Sequence, residues 1–225
     1  MKKIIAIVPV RAGSKGLPDK NIRNFCGSPL FYRAAQQGVR FADRCIVTTD
    51  IKPILDGRFS LPRGTELHSR PPELSTDQAQ MDSVLLEVLS KAEFSGAIVI
   101  LLQATSPLRS IQDIKGCLDL FNANNNSIVF TVTKSDPSVL KNGFLVDGVF
   151  SSVSDLGYLF QNRQSLPQTY KPNGAVYVFN RDDFIKNNGF SFVSAAAVEM
   201  PKERSLDIDS LDDFLSAEIQ FLGVN

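Results

Sequence analysis

Three basic residues share one short, glycine-containing segment of the chain. Arg11, Lys15 and Lys20 lie within ten residues of one another, and Gly13 and Gly16 stand between them. Glycine tolerates positive φ, so consecutive backbone N–H groups in such a segment can converge on one anion. Three positive charges offset most of the charge of a nucleoside triphosphate. The segment is therefore a candidate phosphate-binding loop, and a solvated basic turn of the same composition is an equally weighted alternative.

A second candidate for chemistry is a pair of carboxylates late in the sequence. Asp207 and Asp209 flank Ile208, and in an extended segment residues i and i+2 face the same side, with Cα atoms about 6.5–7 Å apart. Leu206 and Ile208 would then face the core. Two carboxylates, completed by phosphate oxygens and water, suit Mg²⁺ because it prefers hard oxygen ligands in octahedral geometry. The alternative is that Asp209 only caps the following helix while Asp207 is solvated.

Other reaction chemistries lack their characteristic residues. The basic loop matches neither the P-loop nor the G-x-G-x-x-G fingerprint, which weighs against an NTPase and against a nicotinamide enzyme. The sequence contains no G-x-S-x-G elbow and no Cys–His pairing that would support covalent catalysis. His68, the one histidine, stands in a polar turn and is left out of the mechanism.

Bulk composition indicates an ordinary globular protein and narrows its partners. A chain of 225 residues suits one substantial α/β domain. Lys plus Arg and Asp plus Glu both number 24, so the overall charge favours neither nucleic acid nor an anionic membrane as partner. No apolar run approaches the roughly 18 residues of a membrane-spanning helix. The three scattered cysteines predict reduced thiols, so we expect a cytoplasmic protein.

Strands and helices that must position these residues alternate along the chain. Apolar, β-branched runs predict strands, and the stretches between them predict helices. The predicted strands are Ile4–Val10, Ile46–Thr49, Ile98–Leu102, Ser127–Thr133 and Ala175–Phe179. The predicted helices are Leu30–Val39, Ala79–Lys91, Ile111–Phe121, Arg181–Lys186 and Leu211–Leu222, the last capped by Asp209 or Ser210. The alternation predicts an α/β fold with a mostly parallel sheet and helices on both faces.

One segment interrupts this alternation of strands and helices. Leu140–Gln168 contains short β-like pieces separated by Gly, Asp and Asn. We interpret it as a hairpin-rich arm inserted into a single domain that spans residues 1–225. The predicted pieces are Phe144–Val146, Val149–Val153 and Tyr158–Phe160.

The basic loop resembles the signature loop of the CMP-sialic acid synthetases, the acylneuraminate cytidylyltransferase family. That signature runs Arg-x-Gly/Asn-Ser-Lys-Gly-Leu-Pro-x-Lys-Asn, and Arg11–Asn21 follows it with Ala12 as a small departure. The resemblance implies a Rossmann-like nucleotidyltransferase sandwich. It also implies that Lys15 and Lys20 hold the phosphates of CTP and take part in catalysis. The other nucleotide contacts that it implies in this loop are Arg11, Gly13, Ser14 and, near the ribose, Asn21.

A second matching segment concerns the base. Arg70–Leu74, followed by Asp77, looks like the family segment that closes over the cytosine ring. The resemblance implies that Arg70 donates to the cytosine O2, since a guanidinium offers several donors in a fixed fork. It places Ala79 among the nucleotide contacts as well. A surface arginine that anchors a proline-rich turn is an equally weighted alternative.

Two more segments resemble parts of the family that contact the sugar. Gln103–Arg109 is similar to Gln-x-Thr-Ser-Pro-Leu-Arg, which implies sugar contacts from Gln103 and Thr105. A helix entry with Arg109 in solvent is also compatible with these residues. Lys171–Tyr177 resembles Arg/Lys-Pro-Asn-Gly-Ala-x-Tyr, which implies sugar contacts from the first and last residues, Lys171 and Tyr177.

The resemblance extends to the metal and to the arm. Asp207 and Asp209 match the family's Ile-Asp-Ile-Asp pattern, which implies that they bind Mg²⁺, with Mn²⁺ as a substitute. In the family, the arm helps to bind the sugar and forms much of a homodimer, with side chains that cross to the partner's site. Lys141, Arg163 and Lys171 are candidates to neutralise the sugar carboxylate, although basic residues on a polar arm are more often solvated.

Taken together, the resemblance implies transfer of CMP from CTP to the anomeric hydroxyl of an acidic nine-carbon sugar of the sialic acid type. The same chemistry on legionaminic or pseudaminic acid is an alternative. Octulosonate enzymes read Ser-Thr-Arg-Leu-Pro-Gly-Lys in the first loop, unlike Ser14–Pro18, and rank low. A non-catalytic nucleotide-binding module is the alternative from a different class. Intact Lys15, Lys20, Asp207 and Asp209 argue against it.

Overall fold

The computed structural model describes residues 2–123, 127–191 and 194–223. Its strands are β1 (Ile4–Val10), β2 (Asn24–Phe25), β3 (Ser28–Pro29), β4 (Arg44–Thr49), β5 (Thr65–Ser69), β6 (Ile98–Leu102), β7 (Ile128–Ser135), β8 (Gly143–Val146), β9 (Val149–Ser152), β10 (Thr169–Asn180) and β11 (Ala195–Glu199). Its α-helices are α1 (Leu30–Gly38), α2 (Lys52–Leu55), α3 (Met81–Leu89), α4 (Ile111–Ala123), α5 (Arg181–Lys186) and α6 (Leu211–Leu222).

Seven strands form one mixed sheet in the order β11-β7-β10-β6-β1-β4-β5. Strand β10 runs antiparallel to both of its neighbours, β6 and β7, and the other pairs are parallel. The predicted α/β class with a mostly parallel sheet is therefore confirmed. Strands β8 and β9 pair with each other in a separate antiparallel hairpin.

The sheet separates two apolar cores. Alternate residues of β1 face opposite sides, with Ala6 and Val8 in one core and Ile5 and Ile7 in the other, as the pleat of a strand requires. Helices α1, α4 and α6 cover the first face, and α3 and α5 cover the second. The fully apolar β6, buried at all five positions, shows that the centre of the sheet is covered on both sides.

Several elements differ from those predicted. Strands β5 and β11 were not expected, since Thr65–Ser69 is polar and Ala195–Glu199 is alanine-rich. The predicted strand piece Tyr158–Phe160 is wrong: it lies in a 3-10 helix, Leu156–Phe160, which Asp155 caps through its side chain. The predicted start of a helix at Ala79 is also wrong, because α3 begins at Met81.

One edge of the sheet collects the loops that carry the candidate residues. The carboxyl ends of the parallel strands β1, β4, β5 and β6 meet at this edge. Because β10 is antiparallel, its amino end arrives at the same place. In open α/β sheets ligands bind beyond the carboxyl ends of the strands. The fold therefore brings the basic loop, Arg70, Gln103 and the first residues of β10 together.

Candidate active site

A cavity of about 340 Å³ opens at this edge. Four segments that are far apart in the sequence contribute to its wall. Ten residues singled out from the sequence line it: Arg11, Ser14, Lys15, Lys20, Asn21, Arg70, Gln103, Thr105, Asp207 and Asp209. The structure therefore places most of the predicted nucleotide, sugar and metal contacts around one cavity.

The basic loop is fixed by contacts with other elements. Asp50, at the end of β4, accepts from the backbone N of Ala12 at 2.8 Å, and buried Asn21 donates to the Arg11 carbonyl at 3.0 Å. Gly16 lies directly against the carboxylate segment, since a Cβ at this position would stand 2.2 Å from the Asp209 carbonyl oxygen. Glycine is therefore required at residue 16, where the loop meets the segment that carries the carboxylates.

Each of the three loop cations is paired with a carboxylate. Lys20, whose side chain is only 13% exposed, donates from Nζ to Asp209 Oδ1 at 2.8 Å and to the Ile208 carbonyl at 2.7 Å. Lys15 and Arg11 share Asp77, at 2.7 Å and 2.6 Å from its two oxygens. Hydrogen bonds from Lys15 and Arg11 lower the pKa of the Asp77 carboxyl. Two carboxylates on other segments thus offset part of the positive charge of the loop.

Arg70 is a buried residue rather than a surface anchor. Its backbone N donates to the Thr49 carbonyl and its Nη2 to the Thr48 carbonyl at 3.0 Å, which holds the side chain at the end of β4. Burial lowers its pKa. Within the described part of the chain, its buried Nε has no hydrogen-bond partner. A buried donor without an acceptor is unfavourable, so this guanidinium is suited to an acceptor on a ligand.

The segment that carries Asp207 and Asp209 is not helical, as the binding of one metal ion by both carboxylates requires. Residues 205–209 form no helix or ladder, and the Ile208 N–H donates to the Thr105 carbonyl at 2.9 Å. Ile208 is buried while Asp207 and Asp209 are exposed on either side of it. Ser210, in a capping box with Asp213, caps α6. Of the two predicted caps, Ser210 takes the role, and Asp209 is free to face the cavity.

The two carboxylates provide a donor set that Mg²⁺ accepts. Desolvation by the cleft walls raises the pKa of Asp207, although solvent still reaches the side chain, and the negative charge of Asp209 acts in the same direction. Among the residues that the structure describes, no cluster of three or more His, Cys, Asp or Glu side chains could hold a metal. Mg²⁺ usually binds through one or two carboxylates together with phosphate oxygens and water. Asp207 and Asp209 fit that arrangement.

Two further cavities adjoin the first. One of about 540 Å³ is lined by Gln103, Lys171, Tyr177 and Asp207, so these predicted sugar contacts share a wall with the carboxylates. The other, of about 500 Å³, is apolar and is bounded by Gln103, Tyr177 and Phe190. Burial raises the pKa of Tyr177. Gln103 lines all three cavities and stands where they meet.

Four predicted contacts do not line these cavities. Gly13 adopts a positive φ of 68° within the basic loop, and Ala79 donates to the Thr76 carbonyl in the turn before α3. In the arm, Lys141 Nζ donates to the Gln161 carbonyl at 2.5 Å, and Arg163 pairs with Asp136 at 2.9 Å. Both residues therefore bond within their own chain, Lys141 to a residue of the arm and Arg163 to Asp136 just before it.

Sequence reasoning missed the structural role of Arg109. The alternative that left it in solvent is wrong, because it is 3% exposed and burial lowers its pKa to about 9. It donates to Gln37 Oε1 and to the carbonyls of Gln103 and Ala175. Arg109 thus ties the Gln103 loop to α1 and β10. No local signal marks this role, since Gln37 and Ala175 are 72 and 66 residues away in sequence.

Comparison with known proteins identifies the family. The family model described as cytidylyltransferase matches residues 5–187. The chain belongs to the cytidylyltransferase family. A family member that it resembles is the N-acylneuraminate cytidylyltransferase of Streptococcus agalactiae serotype III, strain NEM316, with 35% identity over 95% of this chain. The chain spans only 52% of that relative's length. The resemblance to the CMP-sialic acid synthetases is confirmed.

Other cytidylyltransferase relatives are matched over nearly their whole length. The CMP-N,N'-diacetyllegionaminic acid synthase of Legionella pneumophila is 27% identical over 96% of this chain and 95% of that protein. Among solved structures, CMP:2-keto-3-deoxy-manno-octonic acid synthetase complexed with CTP matches with a TM-score of 0.71 at 16% identity, covering 99% of both chains. At that identity the structural likeness bears on the fold alone, and it confirms the nucleotidyltransferase sandwich.

Proposed function

We propose that this chain transfers CMP from CTP to the anomeric C2 hydroxyl of a nonulosonic acid of the N-acetylneuraminate type, with release of pyrophosphate. The observation that carries the proposal is the convergence of the basic loop, Arg70 and the Asp207–Asp209 pair on one cavity. The family membership and the 35% identity to an N-acylneuraminate cytidylyltransferase support the same chemistry.

In this proposal the loop cations bind the triphosphate. Attack of the sugar hydroxyl on the α-phosphorus and departure of pyrophosphate need in-line positioning and neutralisation of phosphate charge, with little covalent chemistry from the protein. Lys15, Lys20 and Arg11 supply that positive charge. The unpartnered Nε of Arg70 is available to the cytosine, and buried Asn21 lies near the ribose.

The metal-binding residues in this proposal are Asp207 and Asp209. When bound there, Mg²⁺, or Mn²⁺ in its place, supplies a positive charge that neutralises the α-phosphate and lowers the pKa of a bound hydroxyl. Lys20, already bonded to Asp209 at 2.8 Å, links the phosphate-binding loop to the carboxylates. The two groups of charge are thus held at a fixed spacing before the substrates arrive.

The sugar occupies the adjoining cavities in this proposal. Gln103 offers both a donor and an acceptor to sugar hydroxyls, Thr105 lines the nucleotide side, and Lys171 and Tyr177 line the far side. Legionaminic and pseudaminic acids are alternative substrates. The full-length match to the Legionella relative, named as a CMP-N,N'-diacetyllegionaminic acid synthase, supports the first of these.

We further propose that the protein acts as a homodimer through its arm. The β8–β9 hairpin exposes apolar side chains, with Phe144 67%, Leu145 72% and Val149 65% exposed. An exposed apolar patch of this kind is typical of an interaction surface. In such a dimer Lys141 and Arg163 would serve the sugar carboxylate in the partner's site rather than in their own. Residues 1–225 then act as one catalytic domain with an inserted arm.

The structure bears on membrane partners only in one respect. In the described ranges, no helix combines the length and the apolar character needed to cross a bilayer. The proposed partners are CTP, the acidic sugar and a second copy of the chain. We propose a cytoplasmic location because the three cysteines are free thiols.

Pyrophosphate release tests the proposal. The protein is mixed with CTP and Mg²⁺, and N-acetylneuraminic, legionaminic and pseudaminic acids are offered in parallel. We expect release with one acid, which would establish the activity and name the substrate. No release with any of the three, from folded protein that still binds CTP, would contradict the proposal and favour a non-catalytic nucleotide-binding module.

A further inference from the structure

Asp77 stands where the proposed phosphate-binding cations meet. Its two carboxylate oxygens accept from Arg11 Nη1 at 2.6 Å and from Lys15 Nζ at 2.7 Å. Arg11 and Lys15 line the nucleotide cavity, and Asp77 comes from a different part of the chain, between β5 and α3. One carboxylate thus bridges the two cations in the way that two oxygens of a phosphate group would.

The ion pairs of Asp77 with Arg11 and Lys15 are exposed to solvent and easily broken. The side chain of Asp77 is 37% exposed, and those of Arg11 and Lys15 are 36% and 81% exposed. Exposed ion pairs stabilise a fold only slightly, because water and salt screen them. Asp77 lies in an irregular turn after the 3-10 helix Pro72–Leu74, where a small movement breaks no helix or ladder.

Lys20, the third cation, is held differently. Its side chain is 13% exposed, and it donates to the Ile208 carbonyl as well as to Asp209. It therefore keeps one partner whether or not Asp209 is engaged elsewhere. Arg11 and Lys15 have no other ion-pair partner among the residues that the structure describes. The exchangeable part of the site is thus the Asp77 bridge.

We propose that Asp77 is a positioning residue that competes with the β- and γ-phosphates for Arg11 and Lys15. It holds both cations at the mouth of the cavity before the nucleotide arrives, gives them up to CTP, and takes them back when pyrophosphate leaves. The consequence is weaker ground-state binding of the triphosphate and faster release of pyrophosphate. This inference rests on the proposed function, which supplies the triphosphate and pyrophosphate.

Binding measured without turnover tests the inference first. In Asp77→Asn the bridge is lost, and we expect CTP to bind about three- to tenfold more tightly by calorimetry without sugar, the factor that two exposed ion pairs supply. CMP, which lacks the β- and γ-phosphates, should bind with its affinity almost unchanged. A residue that merely preordered the loop would give the opposite result for CTP, weaker binding.

A matched control separates the bridge from the general loss of one negative charge. Asp19→Asn removes a carboxylate from the basic loop that carries Arg11 and Lys15. Asp19 is exposed and forms no ion pair within the described residues. Its positive φ of 56° is compatible with asparagine. Equal tightening in both variants would mean a general charge effect and would overturn the role of Asp77.

Product inhibition gives the second readout. Asp77→Asn should be inhibited by pyrophosphate at lower concentrations than the wild type, in the same three- to tenfold range as the change in CTP affinity. Unchanged CTP affinity in a variant that still turns over would overturn this inference and leave the proposed function intact. Tighter CTP binding in a protein that activates none of the sugars would support the bridge and contradict the proposed function.

Discussion

The nucleotide cleft and the β8–β9 arm differ in how their side chains are partnered. In the cleft, charged groups are partnered within the chain: Lys20 with Asp209, and Asp77 with Arg11 and Lys15. In the arm, apolar side chains stand in water, with Phe160 90% exposed. The ion pairs of the cleft are thus completed within one chain. The arm leaves apolar side chains exposed on the single chain.

This difference predicts different effects for substitutions in the cleft and in the arm. Changes in the cleft should alter chemistry or binding while one chain remains folded. Changes in the arm should alter association while each chain remains folded, because exposed side chains contribute little to the stability of an isolated chain. The predictions below test this division, beginning with the largest expected effect.

Asp209→Asn should lower the rate of CMP transfer at least about 100-fold, the loss typical of removing one group that stabilises charge in a transition state. The substitution removes a carboxylate that faces the cavity and pairs with Lys20. Steady-state pyrophosphate release at saturating Mg²⁺ measures the effect. Asp212→Asn, at an exposed position in the first turn of α6, is the control and should retain turnover. A rate near that of wild type would exclude Asp209 from the proposed metal site.

Arg109→Met should lower the free energy of unfolding by about 3 kcal/mol, because several buried acceptors lose their donor at roughly 1–3 kcal/mol each. Those acceptors are Gln37 Oε1 and the carbonyls of Gln103 and Ala175. Urea titration measures the loss. Arg58→Met, at an exposed position, should change stability by less than about 0.5 kcal/mol. If the two variants were equally stable, the buried network would have no structural role.

Leu145→Asp, on the exposed face of the arm, should weaken self-association at least about tenfold because it places a charge in the proposed apolar interface. Sedimentation velocity across a range of protein concentrations measures the change. The stability of the monomer should stay within about 0.5 kcal/mol of wild type. A wild-type chain that is monomeric at high micromolar concentration would contradict the proposed homodimer.

The smallest expected effect concerns Arg44 on β4 and Glu66 on the neighbouring edge strand β5. Hydrogen bonds from Arg44, which reach 2.5 Å and 2.6 Å, lower the pKa of Glu66. A carboxyl whose folded pKa is lowered stabilises the fold above its unfolded pKa of about 4.3, and this stabilisation is lost as the pH falls through its folded pKa. Glu66→Gln should therefore cost under about 1 kcal/mol at neutral pH, because the pair is partly exposed.

Thermal unfolding measured from neutral to acidic pH tests this last expectation. The difference between wild type and Glu66→Gln should shrink as the solution is acidified, since the wild-type carboxyl becomes neutral. If the stability difference between the two proteins grew on acidification, the predicted direction of the pH dependence would be wrong. Comparing the stability lost in Glu66→Gln with that lost in Arg109→Met shows how much more the hydrogen bonds of an arginine contribute to stability when they are buried.

Much of the fold was predictable because its signals are local. The apolar run of β1 was predicted with the bounds Ile4–Val10 that the structure has, and β6 likewise at Ile98–Leu102. The helix α6 was predicted at Leu211–Leu222, with Ser210 as one of two caps. In each case the signal, an apolar run or a capping residue, lies within the element or directly beside it.

The rest depended on partners that are distant in sequence. The direction of β10 cannot be read from its residues, because its central run Ala175–Phe179 is covered on both faces and is as continuously apolar as the parallel strand β1. Strand β11 is alanine-rich and becomes a strand only because β7 offers an edge to pair with. Tyr158–Phe160 has aromatic, strand-like residues, but Asp155 caps a 3-10 helix there instead.

By itself, the sequence determined the residue types of the site and the order in which they occur: a basic glycine loop, an arginine before two prolines, and two aspartates separated by one isoleucine. Only the tertiary structure decided which charges meet. It paired Arg11 and Lys15 with Asp77 and buried Arg109 among acceptors from α1 and β10. It also bonded Lys141 and Arg163 to residues of their own chain. The reason is physical: residue type and spacing fix local chemistry, whereas ion pairs and burial depend on distances across the folded chain.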